Sequence, residues 1–99
     1  MLVLIVGYMF NIDKVPMVRV TWLDARDTET GWLDIKEVIG APLAVCQEVG
    51  WMVHNGPQKI IIMRSYSKDK DDITGGGAIA IPKDWLKKIE YLKVDYATQ

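Results

Sequence analysis

The sequence predicts a small, mostly β protein: an antiparallel barrel with one short helix, a single 3₁₀ turn and an additional apolar strand at the N-terminus. Short runs in which apolar and polar residues alternate recur along the chain, with turn-forming residues between them. The 99 residues are 49% hydrophobic, which is enough for one core but hardly for two. The segment 77–90 is typical of a strand, a tight turn and a second strand, which is how a small barrel closes.

The first segment, Met1–Phe10, is apolar on both faces of a strand. We predict that it is an added edge strand; the alternative is an upstream extension, because Val15–Met17 offers a second plausible start. An unpaired apolar strand aggregates unless it is covered, so we expect a homo-oligomer with residues 2–8 at an interface. The segment lacks a basic n-region and a cleavage site, and it is shorter than the roughly 20 residues of a membrane span. The predicted organisation is therefore an extension or edge strand at 1–16, a barrel domain at 17–93 and a tail at 94–99.

The next two elements are a strand and a helix. Val18–Leu23 alternates so that its even-numbered residues face the core. A polar loop follows, and a short helix is expected at Ile35–Ile39. Asp34 and Glu37 have the N-cap and N3 spacing of a capping box, and Gly40 is placed to end the helix.

The centre of the sheet is predicted to be a hairpin. Val45–Val53 is one strand, with its odd-numbered residues on one face and Trp51 in the core. The turn Asn55–Pro57 leads into a second strand, Lys59–Ser65. Ser67–Gly77 carries a run of charges and three successive glycines, a composition that favours a mobile loop.

The last elements carry the clearest motif. Ile79 and Ile81 alternate with alanines, and Pro82 removes a backbone donor where the strand must end, so that Lys83–Trp85 can form a 3₁₀ turn. The run Ile81-Pro82-Lys83-Asp84-Trp85-Leu86 resembles the end of SH3 domains. This resemblance implies an SH3-like barrel, and it covers too little of the chain to imply a ligand.

Charge and cysteine content limit the possible partners. Lys and Arg total 12 against 13 Asp and Glu, so no positive field favours DNA or an anionic membrane. The single Cys46 cannot form an intramolecular disulfide, and together with one histidine it cannot form a zinc site, so the chain fits a reducing cytosol.

The sequence offers no constellation typical of an enzyme or a metal site. The aspartates of segment 69–72 lack the spacing of a calcium loop, and Gly75–Gly77 precedes a strand rather than a phosphate-binding helix. Cys46 and His54 share a face by parity, but at about 3.3 Å per residue they lie about 25 Å apart. We therefore expect a non-catalytic protein without a cofactor.

Aromatic and basic residues are the candidates for ligand contact. Four tryptophans in 99 residues is a high density, and tryptophan serves both cores and binding surfaces. Trp32 follows a loop glycine, Trp85 lies in the closing turn, and Arg64 interrupts an apolar strand, where it needs a partner or the surface. The predicted ligand-binding residues are Trp32, Arg64, Trp85, Lys83, Arg26 and His54.

A broader resemblance covers residues 18 to 90. It rests on Val20-Thr21-Trp22-Leu23-Asp24-Ala25, Gly31-Trp32, Cys46-Gln47-Glu48-Val49-Gly50-Trp51 and Ile81-Pro82-Lys83-Asp84-Trp85. Together these segments resemble small accessory proteins of tailed bacteriophages and prophages. The resemblance implies a protein that works in the host cytosol, and by class it implies an oligomeric sponge that captures a nucleotide signal of bacterial immunity.

Two functions follow as hypotheses. The first is sequestration of a small nucleotide-derived ligand by aromatic stacking and arginine contacts, as an anti-defence protein. The second is an SH3-like interaction module that binds a host or virion polypeptide with the same aromatic residues.

Overall fold

The computed structural model describes residues 10–28 and 31–97, and within them it is mostly β, with one short helix and two 3₁₀ turns, which confirms the predicted class. The predicted N-terminal strand and the expected interface at residues 2–8 lie outside the described residues. The first described element is the 3₁₀ turn Ile12–Lys14, which Asn11 caps by accepting a hydrogen bond from the Asp13 amide.

The described chain contains seven strands and one helix. In order they are β1 (Met17–Asp24), α1 (Ile35–Ile39), β2 (Ala44–Asn55), β3 (Lys59–Met63), β4 (Ser65–Asp69), β5 (Asp72–Gly76), β6 (Ile79–Pro82) and β7 (Leu86–Tyr91). Five of them form one sheet in the order β6-β3-β2-β1-β7, and every neighbouring pair is antiparallel. The other two, β4 and β5, form a separate two-stranded ladder.

The five-stranded sheet is strongly curled. Its edges, β6 and β7, would be about 19 Å apart in a flat sheet with strands about 4.8 Å apart. They are nevertheless joined by the predicted 3₁₀ turn, Lys83–Trp85, whose three residues rise only about 6 Å. Within the described residues β6 and β7 are not hydrogen-bonded neighbours, so the sheet is open and a closed barrel is not confirmed.

The core lies on the inner face of this curled sheet. As predicted, the even-numbered residues Val18, Val20 and Trp22 of β1 face it. The buried cluster consists of Val18, Val20, Trp22, Met52, Ile60, Ile62 and Ile81, with Cys46, Ile79, Leu86 and Ile89 packed against it.

The face of β2 that contacts the core differs from the prediction. Its even-numbered residues from Ala44 to Met52 face inward, whereas Val45 and Val49 are exposed. Trp51 is not in the core; it lies half-buried on the outer face, where its ring meets Tyr66 edge to face at 5.1 Å. The valine-rich face therefore faces outward.

Gly50 allows β2 and β3 to pack closely. It is buried, and a Cβ atom at this position would lie 2.5 Å from the Met63 carbonyl oxygen and 2.9 Å from Ile62 Cγ2. These distances are shorter than any ordinary contact of a Cβ atom. Position 50 therefore requires glycine because the β3 backbone occupies the space of a side chain.

The predicted mobile loop Ser67–Gly77 is instead part of a hairpin, β4–β5. This hairpin continues the register of the β3–β6 ladder. Ile62 pairs with Ile79 in that ladder, and counting three residues forward from Ile62 and three residues back from Ile79 gives the pair Ser65–Gly76 of the hairpin. The amino-acid composition did not indicate these two strands, because nearly all of their residues are exposed and few of them need to be apolar. Lys70 makes the reversal with a φ of 55°.

The helix α1 has the predicted bounds, with Asp34 as N-cap and Gly40 as C-cap. The predicted capping box does not form, since the Asp34 side chain makes no capping hydrogen bond. None of its five residues is buried. The helix therefore leaves its apolar side chains without a covering element in the described part of the chain.

Candidate interaction site

One of two open clefts is lined by the predicted site residue Trp85, and we call it the Trp85 cleft. It has a volume of about 320 Å³ and is lined by Leu23, Ala25, Leu43, Asp84, Trp85 and Lys87. Three elements form it: the end of β1, the segment that enters β2, and the 3₁₀ turn with the start of β7. The 3₁₀ turn between β6 and β7 therefore places the tryptophan beside two leucines from elsewhere in the chain.

The walls of the Trp85 cleft are apolar and accessible. Leu43 is 56% exposed and Trp85 is 43% exposed, whereas Leu23 is half-buried at the end of its strand. The charged side chains of the lining, Asp84 and Lys87, have opposite sign. The cleft thus combines an apolar floor, formed by Leu23, Leu43 and Trp85, with one acidic and one basic side chain.

A second, larger cleft lies next to it. It has a volume of about 490 Å³ and is lined by Arg26, Asp27, Thr28, Leu33, Glu37, Gly40, Ala41 and Pro42. The two clefts are neighbours because consecutive residues line them. Ala25 and Leu43 line the Trp85 cleft, and the adjacent residues Arg26 and Pro42 line the larger cleft. Arg26, a predicted site residue, is therefore near the Trp85 cleft but lines a neighbouring depression that also contains acidic groups.

Trp32, another predicted site residue, lines neither cleft and is fully exposed. It precedes α1, in which Ile35 and Ile39 are 67% and 78% exposed and Val38 is exposed as well. The spacing of these three residues places them on one side of the helix. The segment from Trp32 to Leu43 therefore presents apolar side chains to solvent next to both clefts.

Arg64, another predicted site residue, forms an ion pair inside the chain. Its guanidinium donates to the Glu48 carboxylate at 2.7 Å. This hydrogen bond holds the pKa of Glu48 below its ordinary value, against the opposing effect of burial. Arg64 lies at the bend between β3 and β4 and not within the predicted strand Lys59–Ser65. Its expected partner is a glutamate of β2, and it lines neither cleft.

His54 lies near the end of β2, and Lys83, in the 3₁₀ turn after β6, contacts the same end of β2. The Lys83 ammonium donates to the side-chain oxygen of Asn55. The His54 ring lies over Gly56, where a Cβ atom would come within 2.6 Å of Nε2. A register shift between Met52 and His54 pairs His54 with Ile61, so that His54 does not share the inward face of Cys46, contrary to the parity argument.

The predicted ligand-binding residues therefore do not form one site. Trp85 lines one cleft and Arg26 lines the neighbouring cleft, whereas Trp32, Arg64, Lys83 and His54 line neither. Leu23 and Leu43, which also line the Trp85 cleft, were not predicted from the sequence. Their signal was weak: Leu43 follows a helix-ending Pro42, and Leu23 is the last apolar residue of its strand.

The described residues contain no cluster of three or more His, Cys, Asp or Glu side chains that could hold a metal ion. No helix among them has the length and apolar character needed to cross a membrane. Besides the Glu48–Arg64 pair, the ion pairs there join Glu90 to Arg19 at 2.8 Å and to Lys88 at 3.6 Å, on the outer face of β1 and β7. These pairs lie away from the cleft lining.

Comparison of the chain with protein-family models, with curated proteins and with solved structures gives no match.

Proposed function

We propose that this protein is a non-catalytic interaction module that binds an extended polypeptide by receiving one of its apolar side chains in the Trp85 cleft. The observation that carries the proposal is the cleft itself, in which Leu23, Leu43 and Trp85 form an apolar floor that is open to solvent. Accessible apolar surface next to a tryptophan is typical of the centre of a protein interface.

The charges of the cleft define the partner more closely. Asp84 and Lys87 line the apolar floor together, so a bound segment gains most when a basic and an acidic residue flank its apolar side chain. This chemistry is that of a short peptide segment. It fits the SH3-like module of the second hypothesis, because SH3 domains hold extended segments on aromatic surfaces.

A nucleotide-derived ligand is the second candidate, and one observation favours it: Trp85 offers a stacking surface and Lys87 a cation in the same cleft. Two observations count against it. Asp84 repels phosphate in that cleft, and the arginine expected to bind the anion is already paired with Glu48. Sequestration of a cyclic nucleotide or ADP-ribose derivative therefore ranks below peptide binding.

The test uses a displayed library of random 12-residue peptides, followed by fluorescence titration of the selected peptides. We expect the selected peptides to share one bulky apolar residue between residues of opposite charge. Trp85→Ala should weaken their binding at least about tenfold, because truncation of a central tryptophan costs about 2 kcal/mol or more. Tyr96→Ala, at an 88% exposed aromatic outside both clefts, is the control and should leave the affinity unchanged.

Calorimetric titration against a panel of cyclic dinucleotides and ADP-ribose derivatives separates the two candidates. Binding of one of these molecules that is lost in Trp85→Ala, without any selected peptide, would replace the proposed function by the second candidate. Peptides that bind wild type and Trp85→Ala equally would contradict the proposed cleft. Circular dichroism must show that the variant remains folded.

A further inference from the structure

The two edges of the five-stranded sheet differ in charge. The chain from Gly75 to Pro82, which includes the edge strand β6, carries no charged residue. The opposite edge strand, β7, carries exposed Lys87 and Lys88. Lysines on an edge strand discourage pairing with another chain, so only the β7 edge has this protection.

Among residues 10–28 and 31–97 no strand pairs with the outer side of β6, and the β6 backbone presents hydrogen-bonding groups on that free side. The Lys83 amide donates to the Gln58 carbonyl at 2.8 Å, which makes these two residues a hydrogen-bonded pair at the end of the β3–β6 ladder. Hydrogen-bonded and non-hydrogen-bonded pairs alternate along an antiparallel ladder. The pairs that contain Ala80 and Pro82 are therefore non-hydrogen-bonded, and the backbone groups of Ala80 point away from β3.

The side chains of this edge allow close approach. Both Ala78 and Ala80 are exposed. Ala78 lies one residue before β6, and extending the same alternation to it gives it the orientation of Ala80. Pro82 has its missing donor on the free side, where no bond to β3 is lost. In the part of the chain that the structure describes, this edge thus offers small side chains and regularly spaced backbone groups that no other strand pairs.

We propose that β6 pairs antiparallel with the β6 strand of a second copy of this chain, around a twofold axis at Ala80. In this register Ala80 lies opposite Ala80 of the second copy, and the two residues exchange both backbone hydrogen bonds. The Ala78 amide donates to the Pro82 carbonyl of the second copy, so the absent proline donor costs only one bond on each side. The pairing joins two five-stranded sheets into one.

The second copy is the partner that fits this edge best. Around the twofold axis no charged side chain lies opposite another, and Ile79, which is half-buried in the single chain, lies beside Ile81 of the second copy. The strands β6 and β7 run in the same direction, because four antiparallel steps separate them. Antiparallel pairing of β6 with β7 of another copy would place the inner face of one sheet on the same side as the outer face of the other. Ile79 or Ile81 would then lie against Lys88 or Glu90.

The experiment measures the mass of the full chain by sedimentation equilibrium over a range of concentrations. Wild type should reach twice the 11.2 kDa of one chain. Ala80→Lys places two like charges opposite each other at the twofold axis and should raise the dimer dissociation constant about tenfold or more. Ala80→Glu should do the same, and an equimolar mixture of the two variants should restore the dimer.

The control is Lys88→Glu on the β7 edge, which should leave the wild-type dimer unchanged. Hydrogen exchange provides an independent measurement: in the dimer the Ala80 amide should be protected, and in Ala80→Lys it should exchange at least tenfold faster while the amides of β2 stay protected. A wild type that is monomeric throughout, a dimer that persists in Ala80→Lys, or a dimer lost in Lys88→Glu would overturn the proposal. Protected β2 amides show that the Ala80→Lys chain is folded.

Discussion

The close packing of Gly50 against β3 makes Gly50→Ala the most informative test of the fold. The added methyl group would lie 2.5 Å from the Met63 carbonyl oxygen and 3.1 Å from its carbonyl carbon, so backbone rather than a flexible side chain must move. Relief requires β2 and β3 to separate by most of an ångström at the centre of the sheet. Overpacking costs about 1–3 kcal/mol, and we expect about 3 kcal/mol because the obstruction is backbone.

Urea denaturation followed by tryptophan fluorescence measures this loss. With a slope of about 1–3 kcal/mol per molar urea, the midpoint should fall by at least about 1 M. Gly40→Ala is the matched control, because its new methyl group would be 3.3 Å from the nearest atom and its φ is −84°; its midpoint should change by less than a third of that amount. A Gly50→Ala midpoint within the control's range would refute the close approach of the two strands.

Two further predictions concern the core and the ion pairs. Ile62→Ala removes a fully buried side chain and should cost about 2–5 kcal/mol in urea denaturation, whereas Val45→Ala, at a site 69% exposed, should be nearly neutral; similar losses would contradict the assignment of inner and outer faces. Hydrogen bonds from Arg64 and Arg19 lower the folded-state pKa of Glu48 and Glu90, respectively. The ion pairs therefore stabilise the fold fully above the unfolded glutamate pKa of about 4.3, and this stabilisation is lost as the pH falls through the lower folded-state pKa. Thermal melts should therefore show a decline below about pH 4 that is shallower in Glu48→Gln, and an equal decline in that variant would contradict the Glu48 contribution.

The sequence predicted those elements whose ends are determined by local chemistry. Gly40 and Pro42 end α1, and Pro82 ends β6 before the 3₁₀ turn, because glycine and proline act through their own backbone geometry. The inner face of β1 was also predictable, since its buried residues are all large and apolar.

The elements that the sequence did not predict depend on tertiary structure. The inner face of β2 includes Glu48 and Gly50, and neither looks like a core residue until β3 is in place. The hairpin β4–β5 has almost no apolar pattern, because it extends a ladder that begins in the core. The candidate site follows the same rule: composition identified Trp85, but only the fold brings Leu23 and Leu43 beside it.

The shared register of β3–β6 and β4–β5 determines how this chain can change in length. Removing one residue from each strand of the hairpin β4–β5 leaves the pairing of the remaining residues unchanged. Removing a residue from one strand alone shifts the register by one and turns every following side chain of that strand to the opposite face. Insertions and deletions are therefore best tolerated in matched pairs around Lys70 and Asp71, where the chain reverses between Asp69 and Asp72. The hairpin can lengthen or shorten there while the inward residues of β3 and β6 keep their places.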